Sequence, residues 1–367
     1  MSQARSRTAR LVRRSAGVGL LVLCSLLASA LAAEVVVRVY QFGFDSLWPP
    51  YMNSLHAFGE SGLIRAADST DLIYDLRPNL DTLYVKLPFR TNSVGMREDQ
   101  EFSLEKPPGT FRVAVLGDSF TMPTGVAIED AYHSVMEQKL NDRHDGRHYE
   151  FMNFGVAGYQ LGTYLAALEQ KALAYDPDLI LVAFSNNDHI HLKGLGGKRY
   201  EVKPVVHPFW QSHAWRLALQ VWEEFRRKKP ASAPVPAGKI HFTVLPEHRE
   251  IAIRELGQIA EVARSRGIPL VVVFLCHYTE GTEELLDLIE EAQRRFGFTF
   301  VNASLPFPVK EDFAWRILRA DGHSNAAANR IYGEYILDAL TRDGLLPAPS
   351  PGAPAAVEGN PSPRDAS

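Results

Sequence analysis

Cysteine is nearly absent from this chain of 367 residues: only Cys24 and Cys276 occur. Cys24 lies in an apolar N-terminal run, so a single thiol remains elsewhere and an internal disulfide framework is excluded there. Stability has to come from packing. Cys276 closes the run "PLVVVFLC", where a buried small hydrophobe is the expected role. An excess of basic charge is missing too: 39 Lys and Arg against 43 Asp and Glu give a formal net charge of -4. The concentrated positive face of a nucleic-acid binder is therefore not expected. His189 and His191 form a His-x-His, but no carboxylate or cysteine set with metal-ligand spacing accompanies them, so they read as loop histidines. "KGLGGK", Lys193 to Lys198, lacks the register of a phosphate loop and precedes no clear helix. No internal repeat is visible.

What is present is ordinary globular composition, 46% hydrophobic and 22% charged, with an unusual start. Arg5, Arg7, Arg10, Arg13 and Arg14 precede the uncharged run "SAGVGLLVLCSLLASALAA", Ser15 to Ala33. At about 1.5 Å per residue this run can just cross a hydrocarbon core of about 30 Å. The arginines would stay cytoplasmic and the remainder would be exported. An uncleaved signal-anchor is the preferred expectation, because "EVVVRVY" continues the apolar pattern without a break. A cleaved signal peptide is the alternative, since Ala30-Leu31-Ala32 satisfies the small-residue rule. The first expectation places the protein on a membrane with its main domain extracytoplasmic, periplasmic or extracellular; the second makes it secreted.

Residues 34–110 mix aromatics, prolines and polar residues without helical periodicity and read as a small strand and loop region. From Phe111 compact apolar runs alternate with longer amphipathic segments, the signature of a parallel α/β sheet. Strands are expected at Phe111–Leu116, Glu150–Phe154, Asp178–Phe184, Ile268–Cys276 and Phe298–Asn302. Helices are expected at Asp130–Arg143, Gly162–Ala174, His248–Ser265, Glu283–Arg295 and Ser324–Thr341. An insertion at about 189–245 carries "HPFWQSHAWRLALQVWEEFRRKK". This reads as a helix whose Trp210, Trp215, Leu217, Leu219 and Trp222 pack on the core, with a lid or a membrane-surface contact as alternatives. The Pro-rich tail, 346–367, is expected to be disordered.

Ligands of an open parallel sheet gather at the carboxyl ends of its strands. Ser119 follows the first strand in "VLGDSF", where Gly117 permits a tight turn. Gly158 of "NFGVAGY" follows the second, Asn186, Asn187 and Asp188 end the third, and "ADGHSN" places Asp321 and His323 in a loop opening the last helix. These four blocks, in this order, resemble the SGNH (GDSL-type) hydrolases over roughly Arg112 to Leu340. The resemblance implies a three-layer α/β/α sandwich with a mostly parallel central sheet in 111–345. It makes Ser119 the nucleophile, His323 the base and Asp321 its orienting carboxylate, with Ser119, Gly158 and Asn187 as oxyanion donors. No cofactor or metal is implied.

The residue types suit acyl transfer. A serine hydroxyl needs an adjacent imidazole to accept its proton, and a carboxylate to fix the ring's tautomer and angle. Preorganised neutral donors stabilise the tetrahedral oxyanion. Three features depart from the common family pattern. Pro123 replaces a glycine beside the nucleophile, Ser185 replaces a glycine two positions before Asn187, and Asp-x-x-His is shortened to Asp-x-His. The shortened form resembles that of exported relatives that acylate or deacylate polysaccharides. Asp118 and Asp188 are expected to cap the following helix or brace the loop, and His133, on the first helix, to have a surface or packing role. The expected activity is hydrolysis of carboxylic esters, acetyl or longer, carried by small molecules, lipids or glycans. An O-acyltransferase or acetyl-esterase acting on an extracytoplasmic polysaccharide, or a silent glycan- or lipid-binding module, are the alternatives.

Overall fold

A computed structural model describes residues 2–55, 57–69, 71–188, 205, 207–226, 244–319 and 321–347. His189 and His191, the Lys193–Lys198 segment and most of the Pro-rich tail lie outside these residues. The described chain falls into two compact units. One gathers residues 2–53, 207–226 and 318–319; the other contains the rest. Residues 34–53, expected with the strand and loop region, thus group with the apolar N-terminal helix.

That helix, α1, runs over Ser2–Phe42, well past the apolar run, and a single turn, α2, follows at Pro49–Asn53. Two hairpins come next: β1 (Ile64–Ala66) with β2 (Tyr74–Leu76), and β3 (Asp81–Tyr84) with β4 (Leu87–Arg90). The main sheet then begins with β5 (Thr110–Leu116), α3 (Tyr132–Asn141), β6 (His148–Asn153), α4 (Leu161–Gln170) and β7 (Leu179–Phe184). After α5 (His213–Arg226) it resumes with α6 (Pro246–Ser265), β8 (Leu270–Phe274), α7 (Glu283–Phe296) and β9 (Thr299–Asn302). A last pair, β10 (Arg316–Leu318) and β11 (Asp321–Ser324), precedes α8 (Ala326–Arg342).

The five central strands lie in the order β6-β5-β7-β8-β9, all parallel, with Val113 level with Phe151 and Leu179, and Val272 level with Phe300. Their near-unbroken apolar sequences follow from burial on both faces. Val113, Val115, Leu181 and Val273 share a core with Tyr132 and Met136 of α3 and Tyr332 and Ile336 of α8. The alternate residues, including Ala114, Val182 and Val272, are equally buried and face the other way, as the two-residue period of a strand requires. Helices α4, α6 and α7 pack with one another to complete the α/β/α arrangement. Arg112, fully buried on β5, is tied to Glu150 at 2.7 Å and donates to the carbonyls of Ser103 and Tyr175, each at 2.8 Å. The segment before the sheet is thereby fixed to its first strand.

Two expectations are corrected. α4 stops at Gln170 because Lys171 leaves the helical backbone (φ -130°), and the chain tightens into a 3-10 turn over Ala172–Tyr175. The tryptophan helix leaves its tryptophans exposed where burial was expected. Trp215, Leu219 and Trp222 of α5 are exposed, and Trp210 sits outside the helix in a preceding 3-10 turn.

Candidate active site

The chain leaves β5 at Leu116 and reverses within a few residues. A side chain at Gly117 would meet Thr121 Oγ1 at 2.0 Å, so the bend closes only on a bare backbone. Asp118 Oδ1 accepts from the Phe120 N-H at 2.9 Å, and Met122 N-H donates to the Asp118 carbonyl at 2.8 Å. This turn holds Ser119 at the carboxyl end of the sheet. Ser119 Oγ lies 2.8 Å from His323 Nε2, and His323 Nδ1 lies 2.5 Å from Asp321 Oδ1. Asp321 and His323 were expected in a loop but stand on the strand β11. Residues two apart on a strand project to the same side, which is how a shortened Asp-x-His still makes the contact.

Electrostatics match this geometry. Burial alone would lower the proton affinity of His323, but the hydrogen bond and charge of Asp321 outweigh it and the imidazole shifts upward. For Asp321 burial pushes up, and the His323 hydrogen bond and charge prevail, so the carboxyl shifts downward.

Gly158, exposed after β6, has φ +81°, and a Cβ there would lie 2.6 Å from Tyr74 Oη. Glycine is required on both counts. Tyr74 donates to the Ala157 carbonyl at 2.8 Å, while Tyr159 donates to the Tyr74 carbonyl at 2.7 Å. Among the described residues, neither the Ser119 nor the Gly158 amide N-H has a hydrogen-bond partner. Asn187 is exposed and does not line the cleft beside Ser119. Its Oδ1 accepts from Ser185, whose hydroxyl also reaches Asp118 Oδ2 at 2.9 Å. Ser185 therefore links the nucleophile turn and the Asn187 loop.

The two neighbouring carboxylates have partners within the scaffold. Asp188 accepts from Tyr164 Oη at 2.8 Å and from the Ser185 N-H at 2.6 Å. Asp118 and Asp188 are both fully buried, which raises their proton affinity. His133 is buried with Nε2 3.2 Å from the Thr121 carbonyl, its pKa lowered by burial to about 4. Cys276 is buried and its thiol is pushed up to about 12.

A cleft of about 480 Å³ opens on Ser119, Gly158, Asp321 and His323. Part of its wall comes from the segment before the sheet: Phe58, Tyr74 and Tyr84, none of which the motifs indicate. Thr124 also borders it, with a buried hydroxyl that has no partner among the described residues. Beneath the loop that contains Pro123 lies another residue without a motif, Arg97. It is 2% exposed, stacks 4.6 Å from the Phe89 ring centre, and donates to the carbonyls of Met122, Pro123 and Val126.

Fold and site together define an α/β/α protein whose serine, histidine and aspartate form a hydrogen-bonded series at the carboxyl end of a parallel sheet. The chain belongs to the GDSL-like Lipase/Acylhydrolase family, whose profile matches residues 115–331, and it is accordingly an enzyme acting on ester bonds. No curated protein sequence matches it. Solved structures similar to it include TesA, at 15% identity over 63% of this chain and 98% of that one, with a TM-score of 0.40. A putative lipolytic protein of the G-D-S-L family from Desulfitobacterium hafniense DCB-2 matches at 14% identity over 62% and 98%, TM-score 0.40. A catalytic mutant of Axe2, an acetylxylan esterase from Geobacillus stearothermophilus, matches at 13% identity over 62% and 93%, TM-score 0.40.

Proposed function

We propose that the chain is a membrane-anchored, extracytoplasmic serine esterase that cleaves carboxylic esters through an acyl-enzyme on Ser119. The observation that carries this reading is the unbroken Asp321–His323–Ser119 series, 2.5 and 2.8 Å, opening on the cleft. His323 Nε2 takes the Ser119 proton as Oγ attacks the acyl carbonyl. The proton returns to the departing alkoxide, and a water activated by the same nitrogen then releases the acid. Asp321 accepts from Nδ1 and stabilises the imidazolium during each transfer. The unengaged Ser119 and Gly158 amides receive the developing oxyanion, and each such donor is worth about 3 kcal/mol. Anchoring rests on α1, of which Ala16–Phe42 is long and apolar enough to cross a membrane.

The aromatic wall favours a second reading within the same chemistry. Phe58, Tyr74 and Tyr84 offer ring faces and hydroxyls suited to a sugar, so a saccharide ester, or a saccharide hydroxyl as acyl acceptor, fits this cleft. The test is turnover of p-nitrophenyl acetate and longer homologues by the full chain in detergent, beside Ser119→Ala and His323→Ala. Activity lost in both variants supports the serine mechanism. Activity equal in all three proteins refutes it. Faster p-nitrophenol release with added oligosaccharide, together with an acylated sugar product, identifies transfer rather than hydrolysis.

A further inference from the structure

The smaller unit has a surface that ester chemistry does not use. Of the five tryptophans in the chain, four belong to it, and all four are exposed: Trp48 62%, Trp210 82%, Trp215 64% and Trp222 56%. Tyr40 and Phe44, close to Trp48 in sequence, are exposed as well, at 65% and 79%. Trp215, Leu219 and Trp222 stand four and three residues apart on α5 and share one face, while Arg216, Gln220 and Glu223 occupy another. Large exposed apolar side chains at this density mark an interaction surface.

The anchoring geometry names the occupant. Ala16–Phe42 has 27 residues, about 40 Å of helix, against a hydrocarbon core of about 30 Å. Arg13 and Arg14 set one boundary, and the next charged residue is Glu34, followed by Arg38. The surplus length therefore falls at the far end, from about Glu34 to Phe42. That end holds α5: Glu34 Oε1 accepts from the His213 N-H at 2.9 Å and Oε2 from the Ala214 N-H at 3.0 Å. Arg38 donates to the carbonyls of Phe209 and Gln211 at 2.7 and 3.0 Å. The tryptophan helix is thus pinned to the point where α1 leaves hydrocarbon. Tryptophan and tyrosine favour that layer because their rings are apolar and their N-H or O-H stays hydrated.

We propose that Tyr40, Phe44, Trp48, Trp210, Trp215 and Trp222 form an aromatic collar that seats this unit in the phospholipid headgroup layer of the membrane that α1 crosses. The collar rests on the anchored reading. Its occupant is the lipid surface itself, and it fixes the height of the unit instead of leaving it on a free tether.

The full chain is reconstituted in phosphatidylcholine vesicles with bromine on the acyl chain either near the headgroup or near the chain end. A nitrobenzoxadiazole label on Cys24 reports insertion of α1; Cys276 is buried and stays unmodified. The expected result is quenching of most tryptophan emission by the shallow bromines and quenching of the Cys24 label by the deep ones. Trp215→Phe with Trp222→Phe removes about half of the shallow-quenched emission, two of the four exposed rings. Trp315→Phe, in the other unit, leaves it unchanged. A quenched Cys24 label with unquenched tryptophans overturns the collar and leaves the anchor standing, including the case of blue-shifted emission from rings buried against a second copy. If neither responds, the anchored reading fails and the collar with it.

Discussion

At the scale of single residues, the site turns on how His323 and Asp321 share a proton. Only neutral His323 can accept the Ser119 proton, and its pKa lies above 6.5, so kcat/KM should rise with pH through an acid limb whose midpoint exceeds that value. Asp321→Asn removes the group that raises it. A rate lower by about 10⁴-fold, with the limb moved to lower pH, is expected from the pH profile of p-nitrophenyl acetate hydrolysis. An unmoved limb would mean that Asp321 does not set the imidazole. The same pair makes stability pH-dependent. The raised His323 contributes below about pH 6.5 and loses its share as pH climbs through its folded pKa; the depressed Asp321 contributes above pH 4 and loses its share in acid. Gly158 gives a second prediction. Gly158→Ala meets both a positive φ, about 1–2 kcal/mol for an L residue, and the Tyr74 hydroxyl. Tyr74→Phe relieves only the second. In a double-mutant cycle read by kcat/KM, the pair should therefore lose less than the sum of the singles.

At the scale of elements, the nucleophile turn depends on a support that no motif announces. Arg97 donates to three carbonyls of the loop following Ser119, among them that of Pro123. Arg97→Met leaves the Met122 and Val126 carbonyls without this donor, while that of Pro123 keeps the Val126 N-H at 3.1 Å, at a cost of about 3 kcal/mol. The urea midpoint should fall, and kcat should drop more than KM rises, because the loop loses position rather than a substrate contact. Arg97→Lys should recover part of each. What the sequence makes legible follows the range of the interactions. Asp178–Phe184 reads as a strand because all but its first residue are apolar, and Ser119, Gly158, Asp321 and His323 read as a site because they stand in short blocks that follow a strand or open the last helix. Tyr74 and Ala157 meet across 83 residues, and Arg97 reaches its loop across 25 or more, so neither contact leaves a local pattern. Periodicity likewise shows that α5 has an apolar face without showing what covers it, which is why packing on the core was the natural expectation.

At the scale of the whole molecule, the apolar helix does more than lead into the chain: its C-terminal end is an attachment site within the smaller unit. Glu34 stands at the first turn of α5 as an N-cap would, but it is supplied from α1, more than 170 residues earlier. Its two oxygens serve the His213 and Ala214 amides and the Ser212 hydroxyl, and one of them also binds Arg38 Nε at 2.7 Å. Loss of a capping oxygen typically costs about 1 kcal/mol, and Arg38 keeps its two carbonyl bonds, so Glu34→Ala should loosen α5 without unfolding the protein. A shift of about 1 kcal/mol in a local opening equilibrium corresponds to roughly fivefold faster cleavage when opening and closing outpace the protease. Trypsin should therefore cut after Arg216 and Arg226 of the Glu34→Ala chain about five times faster than in the parent. The α/β unit, which contains Ser119 and His323, should keep its p-nitrophenyl acetate turnover. Cleavage unchanged at both arginines would show that Arg38 alone fixes the helix. Turnover lost together with the helix would show that the two units depend on each other for folding.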